Sequence, residues 1–381
     1  MKVMSIFGTR PEAIKLAPVI DVLRNDNRFE SIVCVTAQHR QMLDQVLDVF
    51  SITPDYDLDI MREDQDLYDI TCKVIQGLKE VFLRAKPDII LVQGDTTTVL
   101  AASLSAFYSG ITVGHVEAGL RTKDKKNPYP EEINRRLTSV LTDFHFAPTE
   151  WSKNNLLDEG IIPENIFITG NTVVDALFWA LKKIEQTNYP EVEQIKDRIE
   201  KMAGGGRIIL ITAHRRESFG QPFREMCQAI KLFAENHPDV HMVYPVHMNP
   251  NVREPVNELL KNIANVHLIE PLGYLPFVWL MNRSYLILTD SGGIQEEAPS
   301  LSKPVLVMRE TTERPEGISA GTSILVGRDN NKIVETLESF FTDQNRYQSV
   351  TQIANPYGDG KAAQKIVEIL IENGVGLVLD K

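Results

Sequence analysis

The sequence predicts an α/β protein with two domains of similar size, each built on a parallel β-sheet. First, the chain has 381 residues, which is ample for two domains. Second, short apolar runs alternate with amphipathic segments, which is the rhythm of β-α units. Third, this rhythm stops over a charged segment at 182–206, which contains Pro190 and ends in three glycines, and then restarts. We therefore place a domain boundary just after Gly170.

The individual elements follow from local pattern. In the first domain the predicted strands are Lys2–Phe7, Ile32–Thr36, Asp88–Val92, Thr112–Glu117, Phe144–Ala147 and Ile166–Ile168, with helices at Leu67–Arg84 and Val99–Tyr108. In the second domain the predicted strands are Ile208–Thr212, His241–Tyr244, Val266–Ile269, Tyr285–Thr289 and Val305–Val307. Open parallel sheets bind ligands beyond the carboxyl ends of their strands. The cleft between the two domains is therefore the expected ligand site.

Composition excludes several classes of protein. The net charge of −12 argues against a nucleic-acid partner, which usually meets a basic surface. No run approaches the roughly 20 apolar residues of a membrane helix, so no membrane association is expected. The first residues, MKVMSIFGTRPE, are typical of a first strand and not of a signal peptide, and a cytoplasmic protein is predicted.

Cysteine and histidine spacing gives no indication of a metal. Cys34, Cys72 and Cys227 lack CxxC spacing and are interpreted as reduced structural thiols. His214, His241 and His247 fit no standard zinc pattern. We predict no metal site.

A nicotinamide site is also not supported. The dinucleotide fingerprint G-x-G-x-x-G should directly follow a strand, but the first predicted strand is followed only by Gly8 in FGTRPEAIK. The Gly204–Gly206 run precedes a strand, and no Walker A lysine motif is present. Neither a dinucleotide site nor a P-loop is predicted.

The segment YLILTDSGGIQEEAPS predicts an anion site in the second domain. A strand runs into Ser291, Gly292 and Gly293 at a helix start, where backbone N–H groups can approach phosphate. Glu297, about one turn further on, suits a ribose hydroxyl. Arg314 adds a phosphate donor, and Leu272 and Phe277 suit the walls of a base pocket. The predicted ligand is a nucleoside diphosphate that carries a sugar.

Carboxylates follow the strands of the first domain. Asp95 lies just past a strand and is either a helix N-cap or a reactive group. Glu117 ends an apolar strand, where side chains point toward the ligand in this fold. Glu131, Glu132 and Arg135 begin a helix, and one of these acids could serve only the helix dipole. Together these groups are able to supply a general acid and base.

Two basic segments remain open to two interpretations. Arg10 and Lys15 surround the start of the first helix, and Pro11 suits its first position. His214, Arg215 and Arg216 follow the first strand of the second domain. Each group is either a solvated charged turn or a set of phosphate ligands.

Long motifs in this order resemble the non-hydrolysing UDP-N-acetylglucosamine 2-epimerases of bacteria. The motifs are FGTRPEAIKLAP, GDTTT, GHVEAGLRT, PEEINRRL, TAHRRE and the region from TDSGGIQEEAPSL to TTERPE. The resemblance extends from Met1 to NPYGDG at Asn355–Gly360 and so covers nearly the whole chain.

The resemblance implies two Rossmann-like domains in a fold like that of GT-B glycosyltransferases. The first would comprise 1–170 with a returning C-terminal helix at 361–381, and the second, which would bind UDP, 171–360. The resemblance also implies a homodimer, no cofactor and no catalytic metal. The matching diphosphate, ribose and uracil residues are Arg10, Ser291, Gly292, Gly293, Arg314, Glu297, Leu272 and Phe277. The residues around the sugar are Lys15, Asp95, Glu117, Glu131, Arg135 and His214.

The implied reaction converts UDP-N-acetylglucosamine to UDP-N-acetylmannosamine, supplying units for a surface polysaccharide. Loss of UDP from C1 acidifies the C2 hydrogen, a carboxylate removes it, and 2-acetamidoglucal forms before UDP re-adds. Cations stabilise the leaving diphosphate. The alternatives are a GT-B glycosyltransferase, a hydrolysing epimerase that releases UDP, and a nucleotide-sugar sensor without catalysis.

Some members of this family are activated by a second UDP-N-acetylglucosamine beside the active site. The residues that match that second site are Gln38, Gln41, Gln65, Glu131, Arg215 and His247. Asp64 departs from the pattern, since regulated members have arginine there. An acid at this position repels a diphosphate, so weaker or altered activation is expected.

Overall fold

A computed structural model describes residues 1–37, 40–62 and 64–379, without the side chains of Gln41 and of residues 374–379. The chain forms two compact units, one comprising Met1–Ala176 with the C-terminal part from Tyr357, the other Leu177–Pro356. Within the described ranges, no helix is both long and apolar enough to cross a bilayer.

The first unit contains a seven-stranded parallel sheet in the order β3-β2-β1-β4-β5-β6-β7. Its strands are β1 (Lys2–Phe7), β2 (Glu30–Val35), β3 (Tyr56–Asp57), β4 (Ile89–Gln93), β5 (Thr112–Val116), β6 (Phe144–Ala147) and β7 (Ile166–Ile168). The helices assigned wholly or partly to it are α1 (Arg10–Arg24), α2 (Arg40–Val49), α3 (Leu67–Ala85), α4 (Thr97–Tyr108), α5 (Glu131–Leu141), α6 (Glu150–Asp158), α7 (Thr172–Gln186) and the C-terminal α16 (Ala362–Leu379).

The second unit contains a six-stranded parallel sheet in the order β10-β9-β8-β11-β12-β13. Its strands are β8 (Arg207–Thr212), β9 (Val240–Pro245), β10 (Val266–Ile269), β11 (Leu286–Thr289), β12 (Val305–Val307) and β13 (Ser323–Leu325). Its helices are α8 (Pro190–Ala203), α9 (Gln221–Asn236), α10 (Pro250–Leu260), α11 (Tyr274–Arg283), α12 (Gly292–Glu297), α13 (Pro315–Ala320), α14 (Asn330–Thr342) and α15 (Gln344–Thr351). The predicted α/β class with two parallel sheets is confirmed.

The central strands are buried on both faces, as parallel sheets require. All five residues of β4 are buried, and β1 is buried from Val3 onward. Side chains of Met4 and Ile6 pack with residues of α3 and α4 in the core of the first unit. In the second unit, Ile209 and Leu288 pack with residues of α9 and α14. This layering leaves the carboxyl ends of the strands, and the loops that follow them, for function.

The edge strands β3 and β13 were not predicted from sequence. They contain two and three residues, which is too short for an alternating pattern to be recognised. The other strands agree with the predicted ones to within one or two residues, because their apolar runs are bounded by polar turns.

The junction between the units lies inside α7, six residues beyond the sequence boundary at Gly170. Val173 and Val174 pack against Tyr357, and Asp175 accepts the backbone N–H groups of Ala362 at 3.2 Å and Ala363 at 2.9 Å. These contacts cap α16, which also packs on α1. The start of α7 therefore belongs with the first unit.

Candidate functional site

The candidate functional residues form one group in each unit, and each group lies at the carboxyl edge of its sheet. We call Asp95, Glu117 and Glu131 of the first unit the carboxylate cluster. We call Ser291, Gly292 and Gly293 of the second unit the anion turn.

Glu117 directly follows β5 and has a left-handed backbone with φ of +66°. Glu117 is only 8% exposed. The carboxylate forms an ion pair with Lys15 of α1 and accepts a hydrogen bond from Asn171 Nδ2 at 3.0 Å. A buried carboxylate needs such partners to remain ionised. Lys15, predicted beside the sugar, therefore contacts one of the predicted acid–base carboxylates.

Asp95 follows β4, the strand next to β5. Its Oδ2 accepts bonds from Arg135 Nε at 2.9 Å and from the same guanidinium's NH2 at 2.6 Å. The alternative that Asp95 caps α4 is wrong, because Thr96 is the N-cap and its side chain accepts from the N–H of Val99. The Asp95 carboxylate is thus held by a cation and directed away from the helix backbone.

The two acids at the start of α5 have different environments. Glu132 is fully buried and accepts the backbone N–H groups of Thr122 at 3.0 Å and Lys123 at 3.1 Å, which is a structural role. Glu131 is half-buried, and its Oε2 has no hydrogen-bond partner among the described residues. Glu131 is therefore the acid of this pair that is available for a ligand.

Glu12 is a buried acid that sequence reasoning left without a role. One oxygen accepts the N–H groups of Gly8 at 3.1 Å and Thr9 at 2.7 Å, and the other accepts the Thr96 hydroxyl at 2.8 Å. Burial raises the pKa of Glu12 to about 7, although these hydrogen bonds act in the opposite direction. Since the Gly8 and Thr9 amides are occupied inside the protein, the first loop does not offer them to a phosphate.

His115 of β5 supports the loop that contains Asp95. Its Nε2 lies 2.7 Å from the carbonyl oxygen of Gly94, and burial lowers its pKa to about 4. The ring is therefore neutral at physiological pH and donates to that carbonyl. Arg10, predicted as a diphosphate ligand, lies exposed at the start of α1 on the same edge of the sheet.

In the second unit, two guanidinium groups converge on the anion turn. A Cβ atom placed on Gly292 would lie 3.6 Å from the Arg215 NH2 nitrogen and 3.7 Å from that of Arg314. Arg314 also donates its Nε to the buried carboxylate of Glu296. The helix that follows the turn has only six residues, so positive charge at this turn comes mainly from the two arginines. Two like charges beside glycine backbone form a suitable phosphate site.

The predicted ribose and uracil residues lie in α12 and at the start of α11. Glu297 ends α12 and is 9% exposed. Burial, and to a lesser degree the charge of Glu297, raises the pKa of the Tyr274 hydroxyl well above its ordinary value. Leu272 precedes α11 and Phe277 lies within it, and both are half-buried.

His214 and Arg215 lie in the loop after β8. Both of their backbone N–H groups donate to Asp290 Oδ2 at 2.7 Å. The His214 ring stacks on His247 with ring centroids 5.3 Å apart. The side chain of His214 is 43% exposed, yet surrounding atoms remove enough water to lower its pKa, and the charge of Asp290 opposes this.

A buried arginine connects two of these loops. Arg309 is 4% exposed and donates to Glu217 at 2.8 Å and to Glu313 at 2.8 Å. Burial acts to raise the pKa of Glu313, but Arg309 and two further arginines lower it to about 2. Glu313 therefore remains ionised beside Arg314 and fixes the loop in which Arg314 lies.

The structure describes only some of the residues that match the second nucleotide-sugar site of the family. Gln38 and the Gln41 side chain lie outside the described residues. Gln65 is half-buried, and Asp64 before it is exposed with φ of +57°. Arg215 lies at the anion turn, beside a predicted diphosphate residue, whereas His247 stacks on His214, which is predicted beside the sugar.

Sequence reasoning missed Glu12, Asn171, Asp290 and Arg309. The Thr9-x-x-Glu12 spacing is a capping-box signature and gives a signal for Glu12. Asn171 lies 54 residues from Glu117, and no local pattern connects them.

Among the described residues, no group of three or more potential ligands is placed to hold a metal ion.

Comparisons with known proteins all indicate the same family. Residues 21–371 match the family model described as UDP-N-acetylglucosamine 2-epimerase. A curated protein of that name from Escherichia coli K12 is 56% identical over 386 aligned positions, covering 99% of this chain and all of the relative. A counterpart from Yersinia pestis is 57% identical, covering 99% of this chain and all of the relative.

Solved structures agree with this family. The crystal structure of UDP-GlcNAc 2-epimerase from Neisseria meningitidis bound to UDP-GlcNAc is 53% identical, with a TM-score of 0.90 over 98% of this chain and all of that one. The Methanocaldococcus jannaschii enzyme in complex with UDP-GlcNAc and UDP is 37% identical, with a TM-score of 0.80 over 98% of this chain and all of that one.

Proposed function

Since the chain belongs to the UDP-N-acetylglucosamine 2-epimerase family, we propose that it interconverts UDP-N-acetylglucosamine and UDP-N-acetylmannosamine without hydrolysis. The observation that supports this most directly is the carboxylate cluster, in which Asp95 and Glu117 each contact a cation. Inversion at C2 needs one group that removes a proton and another that supplies one. A simple nucleotide-sugar sensor has no use for such a set.

We assign diphosphate recognition to the anion turn with Arg215 and Arg314. When the C1–O bond breaks, the leaving UDP gains negative charge on its terminal phosphate. Guanidinium groups already in place stabilise that charge more than they stabilise the bound substrate. Glu297 would accept a hydrogen bond from the ribose, and Leu272 and Phe277 would contact the uracil.

We assign proton transfer at C2 to the carboxylate cluster. As the C1–O electrons leave with UDP, a carboxylate takes the C2 proton and the C2–H electrons form the C1=C2 bond of 2-acetamidoglucal. In the reverse addition, a carboxylic acid returns a proton to the opposite face of C2 while UDP re-forms the C1–O bond. Atoms and electrons balance without an oxidant or reductant. Lys15 and Arg135 hold these carboxylates in place through ion pairs.

The deciding experiment follows the C2 hydrogen. Purified protein incubated with UDP-N-acetylglucosamine in D₂O should give a mixture of both nucleotide sugars with deuterium at C2. A carboxylic acid exchanges its proton with solvent before returning it, and so the label enters. Retention of the original hydrogen at C2 would indicate hydride transfer and contradict elimination.

The same incubation separates the other candidates. Stoichiometric release of UDP with free N-acetylmannosamine would identify a hydrolysing epimerase. Sugar transfer to an added acceptor without epimerisation would identify a glycosyltransferase. Binding of the nucleotide sugar without any turnover would identify a sensor.

We further propose a second nucleotide-sugar site formed with Gln65 and His247, weakened by Asp64. The exposed acid at Asp64 would repel a second diphosphate. Initial rates from UDP-N-acetylmannosamine alone should therefore rise only weakly when UDP-N-acetylglucosamine is added. If Asp64→Arg does not strengthen this stimulation, Asp64 is not the determinant.

We also propose that the protein is a cytoplasmic homodimer. Phe107 and Tyr108 at the end of α4, with Leu137 and Val140 on α5, expose apolar surface of the kind that subunits bury. The free thiols of Cys34, Cys72 and Cys227 suit a reducing compartment. Sedimentation of the wild type and Val140→Glu tests the dimer, and cell fractionation tests the location.

A further inference from the structure

Asp290 is a fully buried carboxylate between β11 and the anion turn, at 0% exposure. Its Oδ2 accepts the N–H groups of His214 and Arg215, both at 2.7 Å. These bonds cross from β11 to the loop after the neighbouring strand β8. Asp290 therefore fixes the backbone from which the His214 ring projects.

The second oxygen of Asp290 is not satisfied by these bonds. Its Oδ1 is buried without a hydrogen-bond partner among the described residues. Burial of an unpaired charged oxygen is costly, and such an atom usually has a partner in a functional state. His214 Nδ1 lies 3.7 Å from it, which is about 0.5 Å beyond hydrogen-bonding distance. Only a small approach of the ring is needed for these two atoms to form a hydrogen bond.

We propose that Asp290 is a positioning residue for His214, holding its ring through an Nδ1–H···Oδ1 hydrogen bond. This bond fixes the Nδ1–H tautomer and leaves Nε2 as the atom that exchanges a proton. When Nε2 takes up a proton from solvent, the ring becomes an imidazolium, and the charge of Asp290 favours that form. The same proton returns from Nε2 to solvent when the ring becomes neutral again. The catalytic consequence rests on the proposed function, whereas the tautomer itself does not.

The charged groups around the ring give Asp290 this role. Arg215 lies in the same loop, and His247 stacks on the ring from the loop after β9. Both oppose protonation of His214, as does burial, and Asp290 favours it. Tyr244 of β9, also near Asp290, donates its hydroxyl to the Ala213 carbonyl and so does not supply the Oδ1 atom. Burial is therefore the main cause that lowers the pKa of His214, and the charge of Asp290 opposes it.

The test uses full-length protein with ¹⁵N- and ¹³C-labelled histidine, and the His214 signals are assigned with His214→Asn. In the wild type, the ring nitrogen shifts should show the Nδ1–H tautomer. In Asp290→Asn, the amide oxygen still accepts both backbone N–H groups, but the negative charge is gone. The pKa of His214 should fall by about one unit or more, the usual effect of losing a nearby opposite charge. Since His214 is predicted beside the sugar, we expect its ionisation to affect kcat, and the pH profile of kcat should move to lower pH by the same amount.

Two controls separate this role from general stabilisation. Asp143 also accepts a backbone N–H, that of Val113, at 2.8 Å, so Asp143→Asn makes the same chemical change at an exposed site in the first unit. It should leave the His214 tautomer and pKa unchanged. In a His214→Asn background, Asp290→Asn should cause no further loss of kcat, because Asp290 acts through the ring.

An Nε2–H tautomer in the wild type overturns the proposal without any variant, even if Asp290→Asn does not fold. An unchanged His214 pKa in a folded Asp290→Asn protein overturns it as well. If the NMR results are as expected but no epimerisation occurs, the Asp290–His214 pair stands and the proposed function fails.

Discussion

Replacement of Glu12 by glutamine should make the stability of the first unit less dependent on pH. The side chain is 2% exposed, and its carboxyl accepts three hydrogen bonds. In glutamine, the carbonyl oxygen can still accept from Gly8 and Thr9, and the Thr96 hydroxyl can turn to accept from the new amide. The variant thus keeps the hydrogen-bonded contacts with these three residues and removes the ionisable group.

The magnitude follows from the pKa of Glu12, which burial raises to about 7 from an ordinary value of 4.5. Below pH 4.5, Glu12 is protonated in both the folded and the unfolded chain, and ionisation costs nothing. Between 4.5 and 7 the unfolded chain ionises while the folded one keeps its proton, so the folded state loses stability relative to the unfolded. This loss is complete above pH 7 and amounts to about 3 kcal/mol, since each pH unit contributes about 1.4 kcal/mol. The free energy of unfolding of Glu12→Gln, relative to wild type, should rise by that amount.

Native-state hydrogen exchange of the β1 and β4 amides is the appropriate assay, because it reports unfolding of this unit rather than of the whole two-unit chain. Wild type and variant are compared at pH 5, 6.5 and 8, so that intrinsic exchange rates cancel at each pH. Exposed Glu164→Gln controls for the effect of the chemical change on the measurement. A difference between Glu12→Gln and wild type that is constant from pH 5 to 8 would refute the reasoning.

Three further predictions concern the two sites and the C-terminal helix. Glu117→Gln should lower kcat by roughly a hundredfold or more with a small change in KM, and a near-normal kcat in steady-state assays would remove Glu117 from the catalytic set. Gly292→Val should weaken UDP binding at least about tenfold, because its methyl groups enter the space that Arg215 and Arg314 face; unchanged affinity by calorimetry would give the turn a purely structural role. Asp175→Ala removes the cap of α16 and should reduce its hydrogen-exchange protection by about 1 kcal/mol; equal protection would show that the cap contributes nothing.

The sequence by itself determined the class of fold and the positions of most strands. Parallel strands such as β4 and β8 are buried on both faces, so they appear as continuous apolar runs that end at polar turns. The same short-range logic indicated the anion turn, because glycines that directly follow a strand are visible in sequence. It also indicated the strand-end acids Asp95 and Glu117.

Only the tertiary structure decided what these groups contact. Asn171 reaches Glu117 across 54 residues, and Asp290 reaches His214 across 76. Arg215, matched to a second site in sequence, lies with Arg314 at Gly292. Local sequence patterns do not indicate such partners, because strand order and crossover connections place distant segments side by side. Burial, which raises the pKa of Glu12 and lowers that of His115, likewise depends on the neighbours that packing supplies and not on the residue's own sequence context.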